Sequence, residues 1–108
     1  MMRWYVAAIC IALGVSQVKA QIPGVVMGRV ADNASSNALA GVYVIYGKHL
    51  GTTSDESGHF SFKTQAGKQV VIFQLIGYGT VSREIDVTQG DTLRLDVEME
   101  LKIKEIEQ

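Results

Sequence analysis

The clearest pattern in the chain lies near its end. From Leu93 to Ile103 apolar residues fill every second position (Leu93, Leu95, Val97, Met99, Leu101, Ile103), and Arg94, Asp96, Glu98, Glu100 and Lys102 alternate with them. Successive side chains of a strand point to opposite faces, so this spacing predicts one dry face and one charged, solvated face. A helix would scatter the same charges around its circumference. Shorter runs repeat the period. His59-Phe60-Ser61-Phe62-Lys63 puts two rings on one face, and Val42-Tyr43-Val44-Ile45-Tyr46 is dense in β-branched and aromatic residues. Val25–Ala31, Val70–Leu75 and Val81–Val87 supply three more strands, of which Val70–Leu75 is apolar on both faces and is expected to be central. Arg83 falls on the mainly apolar face of its run, a defect that points to a sheet edge or a sandwich rim.

Turn formers separate the runs: Asp32–Asn37, Gly47–Gly51, Ser54–Gly58, Gln65–Lys68, Gly77-Tyr78-Gly79 and Gln89-Gly90-Asp91. Glycine and asparagine reach positive φ at low cost, and aspartate and serine bond locally to the backbone, so such clusters reverse the chain. No stretch beyond residue 21 keeps a helical period for ten residues. The reading is all-β: an antiparallel, Greek-key-like β-sandwich of about seven strands in one domain, residues 21–101, with 102–108 as a tail or the start of a linker.

The first twenty residues follow a different pattern. Arg3 forms a short basic region, Trp4 to Val15 is an apolar stretch, and Val18-Lys19-Ala20 ends in the small residue that a signal peptidase needs. This predicts a signal helix over residues 1–20, cleaved before Gln21. An uncleaved anchor fits less well, because about 12 apolar residues fall short of the roughly 20 that a spanning helix requires. A lipid-modified cysteine at Cys10 also fits poorly, since Ile9 precedes it and the apolar stretch continues past it.

Composition narrows the function classes. Of 108 residues, 47% are hydrophobic and 19% charged, an ordinary balance for a globular domain, and removal of the leader would leave about 88, enough for one core. With a net charge of −1 and scattered basic residues, no stripe suits a phosphate backbone, so nucleic acid is not an expected partner. Cys10 is the single cysteine, which leaves the exported part with neither a disulfide nor a thiolate nucleophile.

Few side chains are candidates for chemistry. His49 and His59 are the only histidines, each in or beside a turn, with no cysteine to complete a soft metal site. Ser54, Asp55, Glu56 and Ser57 could be a calcium loop, but they lack the alternating carboxylate spacing and final glutamate of an EF-hand, and read as a turn. No G-x-S-x-G elbow accompanies the serines, and Gly77-Tyr78-Gly79 lacks the lysine and helix of a phosphate loop. Asp96, Glu98 and Glu100 read as a solvated strand face instead of an acid–base pair. Tyr43, Tyr46 and Tyr78 would offer an aromatic platform for a sugar if they were adjacent; packing in the core or at the rim is the plainer reading. No catalytic, cofactor-binding or metal-binding residue is therefore assigned, no cofactor is expected, and the chain is not expected to be an enzyme.

The order of motifs resembles the carboxypeptidase regulatory-like domain, a transthyretin-like sandwich. The matching residues are Gly28-Arg29-Val30-Ala31-Asp32, Leu39-Ala40-Gly41-Val42-Tyr43-Val44, Gly51 to Phe62 and Leu75-Ile76-Gly77-Tyr78, within residues 24–101. The chain departs from the family pattern at Asn37-Ala38-Leu39, where a proline often precedes the leucine. In this frame Gly51-Thr52-Thr53 leading into Asp55–Gly58 would be a turn into the strand of Phe60 and Phe62, with Asp55 accepting backbone bonds and Gly58 at positive φ. Gly77 would let the backbone bend while the Tyr78 ring covers the end of the core and its hydroxyl reaches a polar partner.

In Bacteroidetes such a domain commonly stands behind the signal peptide of TonB-dependent outer-membrane receptors, and Met99–Gln108 looks like the start of the linker that follows it there. The resemblance thus implies a non-catalytic accessory module in the periplasm or at the periplasmic face of the outer membrane. Its expected partners are envelope proteins, either the receptor or the transport machinery, reached through an exposed sheet edge or the charged face of Leu93–Ile103. A stand-alone secreted or periplasmic module binding a peptide or carbohydrate, and the regulatory domain of an exported peptidase, remain as alternatives.

Overall fold

The computed structural model describes residues 22–102; the expected leader and the end of the tail, within 1–21 and 103–108, lie outside the described residues. The chain forms eight strands: β1 (Gly24–Asp32), β2 (Tyr43–Tyr46), β3 (Leu50–Thr53), β4 (His59–Thr64), β5 (Gly67–Gln74), β6 (Val81–Val87), β7 (Thr92–Arg94) and β8 (Val97–Met99). They make two four-stranded sheets. One has the order β4-β1-β7 with β8 also on β1, and the other the order β3-β2-β5-β6.

The two sheets bury their inner faces against each other, as a β-sandwich does. Val26 and Val30 of β1, Phe60 and Phe62 of β4, and Val97 and Met99 of β8 meet Val44 of β2, Val71 and Phe73 of β5, and Ile85 and Val87 of β6. Rings lock the layers: Tyr46 stacks on Phe62 with centroids 3.9 Å apart, and Phe60 meets Phe73 edge-on at 5.3 Å. Such geometries add to the area that each ring removes from water. β5 is internal, as its apolar character predicts, and β6 is an edge strand with Arg83 exposed at the rim.

Three details differ from the sequence reading. Leu50–Thr53 is a strand, β3, hydrogen-bonded to β2 from Tyr43↔Thr53 to Tyr46↔Leu50, where the sequence suggested a turn. Its residues show no apolar alternation because it is an edge strand with both faces largely exposed. The long alternating run from Leu93 divides into β7 and β8, and Ile103 lies outside the described residues. Both pieces pair with β1 in parallel, not antiparallel, because the chain reaches them by crossing over from β6 in the opposite sheet.

The division between β7 and β8 has a local cause. Met27 stands opposite Arg94 and Val30 opposite Val97, so both pieces keep one register with β1. Between them Leu95 N–H donates to the Met27 carbonyl at 2.8 Å, but Arg29 N–H donates to Asp96 Oδ1 at 3.1 Å, a side chain in place of the next backbone carbonyl. The Leu95 carbonyl lies over Gly28 instead, so close that a β-carbon there would collide with its oxygen. Gly28 is therefore required by the approach of another backbone.

Candidate interaction surface

Several of the polar residues singled out in the sequence hold the fold. Asp55 Oδ1 accepts the N–H groups of Ser57 and His59, both at 2.9 Å, and Gly58 closes the turn at φ 80°. Gly58 also lies against the Val30 carbonyl, leaving no room for a side chain. Ser54 is buried; its Oγ accepts Val42 N–H at 2.9 Å and donates to the Leu39 carbonyl at 2.7 Å. With its hydroxyl committed in both directions, Ser54 is not presented as a ligand or a nucleophile. Glu56 and Ser57 are exposed in the turn.

Tyr78 packs against the core, and its hydroxyl donates to Asp32 Oδ2 at 2.7 Å. Asp32 Oδ1 accepts Ala34 N–H at 2.8 Å and Ser35 N–H at 3.1 Å, so one carboxylate organises the loop after β1 and anchors the ring. The Tyr78 hydroxyl, followed by the backbone donors, holds the Asp32 carboxyl below its ordinary range, and the carboxylate in turn raises Tyr78 above its own.

The three tyrosines do not meet. Tyr46 points into the core against Phe62, Tyr78 binds Asp32, and Tyr43 lies on the outer face of the β3-β2-β5-β6 sheet, its ring over Gly51. His49 occupies the β2–β3 turn and His59 the start of β4, on opposite sheets. Among the described residues no three His, Cys, Asp or Glu side chains converge. Asp96 and Glu100 are exposed and lie 3.2 Å and 3.9 Å from Arg94 and Lys102 respectively, while Glu98 is exposed on β8.

One concavity was not anticipated from the sequence. It is a cleft of about 880 Å³ between the β2–β3 turn and the β4–β5 turn, floored in part by the outer face of the β3-β2-β5-β6 sheet. Its floor is apolar: Ile45 of β2 stands opposite Ile72 of β5, with Val70 two residues along, and Leu50 at the start of β3 lines its side. Lys48, His49, Lys63 and Lys68 also line it, with no carboxylate among the lining residues. The β4–β5 wall is fixed by Gln69, which accepts from Thr64 Oγ1 at 3.0 Å and donates to the Gln65 carbonyl at 2.9 Å. A signal for this face was present in the sequence. Val70–Leu75 is apolar on both faces, yet only one face of β5 is covered by the second sheet, so the other leaves Val70 46% exposed.

The comparisons agree with this architecture. The family described as the CarboxypepD_reg-like domain matches residues 26–108. No curated protein matches the chain. Among solved structures, the Bacillus anthracis TIE protein superposes with a TM-score of 0.58 at 18% identity, over 74% of this chain and 17% of that one. A DUF3823 family protein from Parabacteroides merdae gives 0.59 at 12% identity, over 77% and 47%. A putative membrane-associated protein of unknown function from Bacteroides fragilis gives 0.58 at 17% identity, over 82% and 31%. At these identities the likeness is one of fold, and the chain spans less than half the length of each of these proteins.

Proposed function

The chain belongs to the CarboxypepD_reg-like domain family, and from that membership we propose that it is a non-catalytic accessory module of the bacterial envelope, working by protein–protein contact. In the finer form of this reading it serves a TonB-dependent outer-membrane nutrient receptor, as its N-terminal domain, from the periplasmic side. The observation that carries the proposal is the family match together with the use made of the polar motif residues. Ser54, Asp55, Asp32 and Tyr78 are committed to internal hydrogen bonds, while the apolar and charged groups left over are displayed on an outer sheet face. Such a molecule presents surfaces instead of converging reactive groups. The leader-like pattern of residues 1–20 supports export.

The test is an in-frame deletion of residues 24–101 from the native gene, with nutrient uptake and envelope assembly as readouts. The proposal expects uptake to fall while the rest of the system still reaches the outer membrane. Unchanged uptake across a panel of glycans, peptides and siderophores would overturn the receptor reading.

A further inference from the structure

We infer that the cleft on the β3-β2-β5-β6 sheet is a docking groove for an extended peptide segment that carries carboxylates around an apolar centre. This rests on the contact function proposed above and names the chemistry of the partner. Two observations combine. The floor of Ile45, Ile72 and Val70 is an uncovered sheet face, whose side chains stand in cross-strand register or two residues apart on one strand. A peptide in extended form repeats its side chains toward one face every two residues, about 6.6–6.8 Å, which is the spacing of Val70 and Ile72 along β5.

The rim supplies the second observation. Lys48, Lys63 and Lys68 surround the floor, and none of them lies within ion-pair distance of a carboxylate among the described residues, where the pairs formed are Arg94–Asp96 and Lys102–Glu100. The nearest acidic side chains by register are Asp86, opposite Lys68, and Glu84, opposite Val70, both on β6 and outside the cleft. Three cations around an apolar floor favour a ligand that brings negative charge to the rim and apolar side chains to the centre, with charge complementarity setting specificity and encounter rate. The shape argues for a peptide over a lipid surface. The apolar groups form the bottom of a concavity between two turns, whereas a bilayer needs them at a convex tip. The Gln69 bonds that hold the β4–β5 wall mean that the groove exists before a partner arrives.

The experiment uses the purified chain and two dye-labelled heptapeptides with the same apolar centre, Asp-Glu-Val-Ser-Ile-Glu-Asp and Lys-Lys-Val-Ser-Ile-Lys-Lys, read by fluorescence anisotropy at low and physiological salt. The acidic peptide is expected to bind saturably and the basic one at least about tenfold more weakly. Its amide-shift changes should fall on Ile45, Leu50, Val70 and Ile72. The triple variant Lys48→Glu, Lys63→Glu, Lys68→Glu should reverse the preference without changing the melting temperature by more than a few degrees. Val70→Ser should weaken binding of the acidic peptide with all charges intact. Equal binding of the two peptides, shifts confined to the β6 edge, or binding to phosphatidylglycerol vesicles but not to the acidic peptide would overturn the inference. If the peptides are silent while deletion of the domain still lowers uptake, the groove is wrong and the contact function stands.

Discussion

Tyr78 Oη and Asp32 Oδ2 lie 2.7 Å apart, joining the β5–β6 connection to the end of β1 across 46 residues of sequence. The bond needs an ionised aspartate and a protonated tyrosine, so it ties the stability of the fold to pH at both limits. Asp32 is held below the ordinary aspartate value of 3.8, chiefly by Tyr78, and contributes stability that is present above that value and lost as pH falls through its lowered value in the folded protein. Tyr78 is raised above 10.0, chiefly by Asp32, and its share is present below that value and lost as pH rises through its raised value in the folded protein. Tyr78→Phe is therefore expected to lower the melting temperature at pH 7 and to flatten the stability profile below about 3.8 and above 10. Thermal unfolding of both proteins from pH 2 to 11 checks this; parallel profiles would contradict it.

Ser54→Ala should destabilise by about 1–3 kcal/mol, because the buried Val42 N–H loses its acceptor and the Leu39 carbonyl its donor in one change. Urea denaturation measures the loss as a lower midpoint with an unchanged slope.

Gly28→Ala tests the crowding that separates β7 from β8. A β-carbon at residue 28 would collide with the Leu95 backbone, so β1 and its parallel neighbours must move apart. The expected cost is about 1–3 kcal/mol, the range for overpacked sites. Hydrogen exchange should show the loss locally, at the Leu95 and Arg29 amides that bond across this junction. Uniform loss of protection over both sheets would argue against a local origin.

Phe73→Ala removes a fully buried ring of β5 that meets Phe60 edge-on across the sandwich. A loss of about 3–5 kcal/mol is expected from transfer and cavity effects. For a domain of this size that approaches the whole stability, so the variant should be largely unfolded near 37 °C by circular dichroism.

Part of the inner face of one sheet was legible from period-two alternation: Phe60 with Phe62, and Val97 with Met99, each share a face, and both faces turn inward. The family resemblance carried the fold, and the family match over residues 26–108 agrees with it. Asp55 as a turn acceptor, Gly58 at positive φ and Tyr78 reaching a polar partner followed from local backbone chemistry, and the structure has all three. Direction and continuity were not legible. Alternation states which face a side chain takes but not which way the neighbouring strand runs, so the parallel pairing of β7 and β8 was out of reach. Their separation depends on Gly28 and Asp96, residues 68 positions apart that meet only in the folded chain. The cleft was hidden for a similar reason. An apolar run on both faces reads as burial on both sides, and only the sheet order shows that the outer face of β5 is uncovered.

The central claim, a contact module of the envelope, is tested most directly by mild crosslinking of the source cells, fractionation, and blotting with an antibody raised against residues 24–101. The account predicts signal in the outer-membrane fraction that shifts to higher mass on crosslinking. Signal confined to the cytosol, with no shift on crosslinking, would contradict it.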